Sequence, residues 1–157
     1  LLSRRWERIA YMGASKNLLV DESRYRGYLR AHRDIGVEVD ESLVFREEIT
    51  EAGMRSHVDE LLEKHVDCII CQDDAVCTLV LDELRMQGAK IPGDMRVASC
   101  HNSKVLDNYP ISVTSLRFDN TEIGRVACSV LLDLLEGKPV LHKTILDYEV
   151  VLKESTK

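Results

Sequence analysis

Polar side chains with hydrogen-bonding chemistry follow three of the apolar runs in this sequence. Arg24 comes after the first run, Gln72 and Asp73 directly follow a later one, and His101 follows the next. A guanidinium, an amide, a carboxylate and an imidazole can together hydrogen-bond a polar small molecule. We therefore single out these four residues as candidate ligand-binding residues.

Each candidate also has an ordinary structural explanation. Arg24 lies in an arginine-rich segment that is typical of solvated surface, and His101 can be a loop histidine bonded within the protein. Asp73 occupies a position typical of a helix N-cap, a role that needs no ligand. The pair Asp73-Asp74 can instead hold magnesium, as in a phosphatase-like site. Adjacent acids at a helix start more often serve as the cap and as first-turn charge against the helix dipole.

Common enzyme motifs are missing from the sequence. There is no G-x-S-x-G segment, the segment Gly13-Ala-Ser-Lys16 lacks the spacing of a phosphate loop, and no two histidines have metal-ligand spacing. We therefore expect a protein that binds a small molecule and does not transform it, without a cofactor or a metal.

The five cysteines are an odd number, and Cys68 and Cys71 have the C-x-x-C spacing of redox and zinc motifs. In an extended strand, however, side chains three residues apart point to opposite faces. No second C-x-x-C pair completes a zinc site. We expect all five to be free, buried thiols of a cytoplasmic protein.

The 157 residues suit one domain of ordinary size, and 45% hydrophobic with 31% charged residues suits a globular core. A net charge of −6 makes this chain by itself a poor ligand for nucleic acid. No apolar run approaches the roughly 18 residues of a membrane span, and no signal peptide opens the chain, so we expect no membrane association. The first residue is Leu1, and the chain reads as part of a longer protein.

Short apolar runs alternate with segments of helical periodicity along the chain. Strands are predicted at residues 8–12, 43–45, 66–71, 95–100, 112–116 and 145–152. The helices between them are predicted to be capped or begun by Asp21, Thr50, Asp73 and either Asp119 or Asn120. This alternation predicts an α/β fold with an open, mainly parallel sheet flanked by helices on both faces. Such sheets bind ligands beyond the carboxyl ends of their strands, where the candidate residues lie.

The order of these segments resembles the LacI/GalR family of bacterial transcription regulators, from the middle of the sensor domain to its C-terminus. The segments that carry the resemblance are Arg8-Ile-Ala-Tyr-Met-Gly13, Ser23-Arg-Tyr-Arg-Gly-Tyr28, Cys68-Ile-Ile-Cys-Gln-Asp73, Ile91-Pro-Gly-Asp-Met-Arg-Val97, Val113-Thr-Ser-Leu116 and residues 131–137. Each motif is short, but their order and spacing together are specific. The resemblance covers essentially the whole chain.

The resemblance implies a periplasmic-binding-protein-like domain with two subdomains around a cleft. Residues 1–119 would form the C-terminal subdomain, residues 120–143 would belong to an N-terminal subdomain outside this chain, and residues 144–157 would return to the C-terminal subdomain. A homodimer would pair through the helix of residues 74–84 and the loop of residues 104–109. DNA would be bound by a separate N-terminal domain.

The resemblance also assigns roles to the candidate residues. Arg24 matches the arginine that hydrogen-bonds effectors in this family, Asp73 matches the turn aspartate, and Gln72 matches the position before it. His101 falls where the family usually has an aspartate. Because neutral histidine accepts only one hydrogen bond and its cation accepts none, this departure favours an anionic effector, such as a sugar phosphate or an organic acid. It is also consistent with a sensor that responds to a partner protein or has lost its ligand.

Two other functional classes remain open at this point. A periplasmic solute-binding protein would share the fold, and the free cysteines are the argument against that compartment. A small flavodoxin-like or phosphatase-like enzyme would need Asp73 and Asp74 for turnover. For the regulator, we expect the effector to act by favouring a closed cleft and thereby changing the spacing of paired DNA-binding segments.

Overall fold

A computed structural model describes residues 8–15, 17–47 and 49–157 of the chain. Residues 1–7, the first of the predicted C-terminal subdomain, lie outside these ranges. Lys16, from the segment compared with a phosphate loop, lies outside them as well.

The described residues form one six-stranded sheet with the strand order β2-β1-β3-β4-β5-β6. The strands are β1 (Ile9–Met12), β2 (Val44–Phe45), β3 (Cys68–Cys71), β4 (Arg96–Ser99), β5 (Thr114–Phe118) and β6 (Tyr148–Val151). Strands β1 to β5 are parallel, and β6 pairs with β5 in the antiparallel direction. The helices are α1 (Leu19–Asp34), α2 (Glu51–Glu63), α3 (Asp74–Met86) and α4 (Asn120–Leu135).

Helices cover both faces of the sheet. Since alternate strand residues point to opposite sides, each strand contributes side chains to both cores. On one face Tyr11 of β1 packs against Tyr28 of α1. On the other face Met12 joins a core that contains Val58 of α2 and Val80 of α3. The predicted α/β class, with a mainly parallel sheet between helices, is therefore confirmed.

The cysteine prediction holds in part. Cys68 and Cys71 belong to the cores on opposite faces of the sheet, as expected of strand residues three apart. All five cysteines are free, and Cys68, Cys71 and Cys77 are buried. The expectation of burial is wrong for Cys128, which is exposed on α4, and Cys100 is only partly buried.

Three of the four predicted helix caps are confirmed. The side chains of Thr50, Asp73 and Asp119 each accept a hydrogen bond from a backbone N–H in the first turn of α2, α3 and α4, respectively. The prediction is wrong for Asp21. Helix α1 begins two residues earlier, at Leu19, and Asp21 is fully buried in its first turn.

The buried carboxylate of Asp21 is hydrogen-bonded by two residues from the sheet, Tyr11 in β1 and Arg46, which directly follows β2. The hydroxyl of Tyr11 in β1 donates to Asp21 Oδ1 at 2.9 Å, and Arg46 Nε, just beyond β2, donates to Asp21 Oδ2 at 2.7 Å. Arg46 Nη2 also donates to Glu22 Oε2 at 2.8 Å, and its guanidinium lies 4.2 Å from the centre of the Tyr25 ring. Burial, followed by the hydrogen bond to Asp21, raises the pKa of Tyr11, so its hydroxyl keeps its proton and donates. These contacts fix the start of α1 against β1 and β2.

Gly13 lies against this cluster and has no room for a side chain. A Cβ atom there would lie 2.5 Å from Asp21 Oδ1 and 3.1 Å from Arg46 Cγ. The glycine thus allows the backbone after β1 to pass next to the buried ion pair.

Helix α4 differs from the other helices, because it buries none of its residues. Four of its leucines are more than half exposed: Leu131, Leu132, Leu134 and Leu135. Within the part of the chain that the structure describes, no helix is both long and apolar enough to cross a bilayer.

We expect Arg46→Met to lower the free energy of unfolding by about 3–5 kcal/mol, because it leaves the Asp21 carboxylate buried without its counter-charge. Arg30→Met is the matched control, since Arg30 pairs with Asp34 at 3.6 Å on the exposed face of α1 and such pairs contribute about 0–1 kcal/mol. Urea denaturation of both variants measures the difference. Equal losses in the two variants would contradict the role given to the buried pair.

Candidate ligand-binding site

The five parallel strands end at one border of the sheet, which we call the carboxyl edge. Backbone hydrogen bonds continue between neighbouring strands at this border. Gly13 N donates to Phe45 O at 2.7 Å, Gln72 N donates to Met12 O at 2.8 Å, and Cys100 N donates to Cys71 O at 3.0 Å. The loops after β1, β3 and β4 therefore lie side by side.

The loop after β3 is held by bonds among its own side chains. Gln72 is only 1% exposed, and its Nε2 donates to Asp73 Oδ2 at 3.0 Å. The other carboxylate oxygen, Asp73 Oδ1, caps α3 by accepting from Val76 N at 2.9 Å. Asp73 thus both starts the helix and orients the buried amide, so the structural and the ligand-binding interpretations of this residue are compatible.

Arg24, in the second turn of α1, is close enough to Cys100, in the loop after β4, for its charge to act there. Burial raises the pKa of the Cys100 thiol, the positive charge of Arg24 lowers it, and the negative charge of Asp73 raises it. The guanidinium and the Asp73 carboxylate therefore lie close enough to Cys100 to act on it, one residue before His101.

Arg24 is partly buried and makes no hydrogen bond or ion pair with any other described residue. The acids beside it in the helix are already bound: Asp21 by Arg46, and Glu22 by both Arg46 and Arg26. A cation placed in this way can donate to oxygen atoms of a bound molecule.

His101 lies beside Asp74 in the first turn of α3. Its Nδ1 is 3.3 Å from Asp74 Oδ1, and its ring stacks on Phe118 with 6.5 Å between ring centres. Burial by itself raises the pKa of Asp74, but hydrogen bonds from Ser103 and His101 outweigh it, so the net effect is a lowered pKa. Asp74 is therefore a stable anion at neutral pH.

The structure thus places Arg24, Gln72, Asp73 and His101 at the carboxyl edge, on three neighbouring loops and helix starts. Their roles as ligand contacts stay predictions. Gln72 is more deeply enclosed than a loop position indicates, whereas His101 is 37% exposed.

Sequence reasoning missed two features of this border. The first is the ion pair between Arg46 and Asp21. The sequence signal for it was the position of Arg46, a charged residue directly after a short apolar strand. The second is the pairing of His101 with Asp74. These residues are 27 positions apart, and only the parallel order of β3 and β4 brings their loops together.

The arrangement suits non-covalent binding of a polar molecule. It offers the guanidinium of Arg24, which pairs with no other described residue, an imidazole, and carboxylates that are bound by other protein groups. Among the described residues, no group of three or more His, Cys, Asp or Glu side chains is placed to hold a metal ion. The magnesium interpretation of Asp73 and Asp74 fits poorly, because both carboxylates are bound by other protein groups.

Comparison with known proteins gives one family and a consistent set of relatives. A family model described as a periplasmic binding protein-like domain matches residues 1–156. The transcriptional repressor CytR of Escherichia coli (strain K12) is 26% identical over 155 residues, which cover 96% of this chain and 45% of the relative. The transcriptional regulator CelR of Thermobifida fusca is 27% identical over 153 residues, which cover 94% of this chain and 44% of the relative. The chain therefore spans about half the length of these curated relatives.

Solved structures agree with the sequence matches. The transcription regulator CcpA of Lactococcus lactis superposes with a TM-score of 0.87 at 26% identity, covering 99% of this chain and 58% of the other. A complex of the transcriptional regulator CelR with cellobiose superposes with a TM-score of 0.85 at 26% identity, covering 99% of this chain and 48% of the other.

We expect Asp73→Ala to lower the free energy of unfolding by about 1–4 kcal/mol, because the first turn of α3 loses its cap and the buried Gln72 amide loses its partner. Asp73→Ser is the matched control and should lose about 0.5–2 kcal/mol less than Asp73→Ala, since serine caps helices about as well as aspartate and only the hydrogen bond from Gln72 is lost. Chemical denaturation followed by circular dichroism measures both. The capping role would be refuted by the same large loss in the serine variant.

Proposed function

This chain belongs to the periplasmic binding protein-like domain family. We propose that it binds the small-molecule effector of a bacterial transcription regulator of the LacI/GalR type. The resemblance to this family predicted from the sequence motifs is confirmed, since the matching relatives are transcription regulators. We propose that the chain is a sensor and not an enzyme.

The observation that carries this proposal is the position of Arg24. Arg24 is partly buried, its charge acts on Cys100 at the carboxyl edge, and the neighbouring acids of its own helix are bound by other residues. A partly buried cation without a protein partner can donate to an oxygen atom of a ligand. His101, on the adjacent loop, supplies a second polar group at the same border.

The proposed effector is a sugar, a sugar phosphate or another polar metabolite. A CelR complex with cellobiose is among the structural relatives, which supports a sugar-like ligand. The anionic alternative rests on Arg24 together with histidine at position 101.

We further propose that residues 120–143 belong to a second subdomain, with residues 1–119 and 144–157 forming the C-terminal subdomain. The exposed apolar face of α4 supports this division, as does the length of the relatives, which is about twice that of this chain. An effector that bridges the two subdomains would favour a closed cleft. It would shift the free-energy difference between the open and closed states by the difference in its binding free energy to the two states.

DNA binding by a separate N-terminal domain, a cytoplasmic location and a homodimer complete the proposed regulator. The apolar residues Val76, Val80 and Leu84 of α3 lie in the chain's own core. A dimer contact through this region would therefore use exposed neighbours such as Met86 and Val105.

The first test is a thermal-shift screen of the full-length protein against sugars, sugar phosphates, purines and organic acids. A ligand at 100 times its Kd stabilises the native state by about 2.7 kcal/mol, which raises Tm measurably. We expect Arg24→Ala to weaken the binding of the active compound by at least about tenfold, because a hydrogen bond to a charged group contributes about 1.5–3 kcal/mol. Arg33→Ala, on the exposed side of the same helix, is the matched control. The proposed function fails if no compound raises Tm, or if Arg24→Ala leaves affinity unchanged.

The division into subdomains has its own test. We expect Leu131→Asp to lower the Tm of the full-length protein by several degrees, because a charge would enter an apolar contact of α4. Ser129→Asp, on the opposite side of α4, is the matched control and should leave Tm nearly unchanged. A Leu131→Asp variant as stable as the wild type would show that nothing covers this face.

A further inference from the structure

Asp74 lies beside the imidazole of His101. The distance from His101 Nδ1 to Asp74 Oδ1 is 3.3 Å. His101 and Ser103 together lower the pKa of the Asp74 carboxyl, which keeps it ionised beside the ring. The loop backbone is fixed as well: His101 N donates to Ser99 Oγ at 3.2 Å, and Ser99 Oγ donates to His101 O at 2.7 Å. The Phe118 ring lies nearly parallel to the imidazole, with 6.5 Å between ring centres.

A carboxylate beside one ring nitrogen decides which nitrogen carries the proton. Ionised Asp74 can only accept a hydrogen bond, so the neutral ring is most stable with its N–H on Nδ1. The other nitrogen, Nε2, then has a lone pair and accepts. Asp73 has no such effect, because Gln72 and the backbone of α3 already occupy its oxygens.

We propose that Asp74 is a positioning residue that keeps the N–H of neutral His101 on Nδ1 and thereby makes Nε2 an acceptor for a hydroxyl or N–H group of the effector. This inference rests on the proposed function and deepens it by naming the group that position 101 recognises. The pair of Asp74 and His101 then supplies an accepting atom at the place where the family pattern has an aspartate.

The same geometry argues that His101 is not the source of positive charge for an anionic effector, which leaves Arg24 as the cation for that role. If His101 gains a second proton, its charge is balanced by Asp74 at 3.3 Å, so little net positive charge is left to attract an anion. The lowered pKa of Asp74 agrees with a carboxylate that stays ionised throughout.

Long-range ¹⁵N NMR of histidine side chains in the full-length protein tests the positioning role without any ligand, with the His101 signal assigned by its loss in His101→Gln. We expect a proton on Nδ1 in the wild type. Asp74→Asn should keep that tautomer, because the amide oxygen still accepts, whereas Asp74→Ala should move the proton to Nε2. Asp59→Ala, an exposed acid on α2, is the matched control and should change nothing.

Binding provides the second readout. For the compound found in the screen, Asp74→Ala should weaken affinity by about tenfold and Asp74→Asn by no more than about threefold, as expected for one hydrogen bond. Inorganic phosphate serves as the anionic probe, and we expect it to show no binding that depends on His101. Phosphate binding that is lost in His101→Gln would overturn the inference.

The failure of this inference and the failure of the proposed function are separable. A wild-type His101 with its proton on Nε2 overturns the positioning role of Asp74 whatever the screen finds. A proton on Nδ1 without any bound compound keeps the positioning role and removes the proposed function together with the assigned hydroxyl contact.

Discussion

The buried ion pair between Arg46 and Asp21 sets the geometry of the carboxyl edge. Taking two charges out of water is costly, and the cost is offset here by close hydrogen bonds from Arg46 and from the Tyr11 hydroxyl. The pair joins the first turn of α1 to β1 and to the end of β2, and Gly13 leaves the space that it needs. Because Asp21 and Glu22 are bound by Arg46, neither is the partner of Arg24, which pairs with no acid among the described residues.

The polar groups at this border follow from the packing of the sheet. Strands covered on both faces carry few polar side chains along their length, so polar residues collect where the strands end and helices begin. Asp73 has two such roles, since one of its carboxylate oxygens caps α3 and the other orients Gln72. Asp74, the next residue, faces His101 on the neighbouring loop. Residues at the start of α3 therefore both stabilise the helix and orient the side chains of Gln72 and His101.

Helix α4 lies outside this arrangement. Helices α1 to α3 place side chains in the cores on the two faces of the sheet, whereas α4 has an apolar side that buries no residue within the described part of the chain. Strand β6 returns to the sheet beside β5, and the tail that follows is anchored by Ser155 Oγ, which donates to Val97 O at 2.6 Å. The chain therefore leaves the core at α4 and returns to it afterwards, which is the pattern that a two-subdomain protein would need.

The sequence by itself determined the fold class, the family resemblance, the caps at Thr50, Asp73 and Asp119, and the border at which the candidate residues lie. Periodicity and capping chemistry act over short stretches of chain, and the border follows from the general rule that parallel strands end at one edge of a sheet. Tertiary structure decided the rest. It converted Asp21 from an expected cap into a buried partner of Arg46, 25 positions away, and it gave His101 the carboxylate of Asp74. Long-range charge pairs of this kind leave no periodic signal, because their geometry exists only after the strands have assembled in their spatial order.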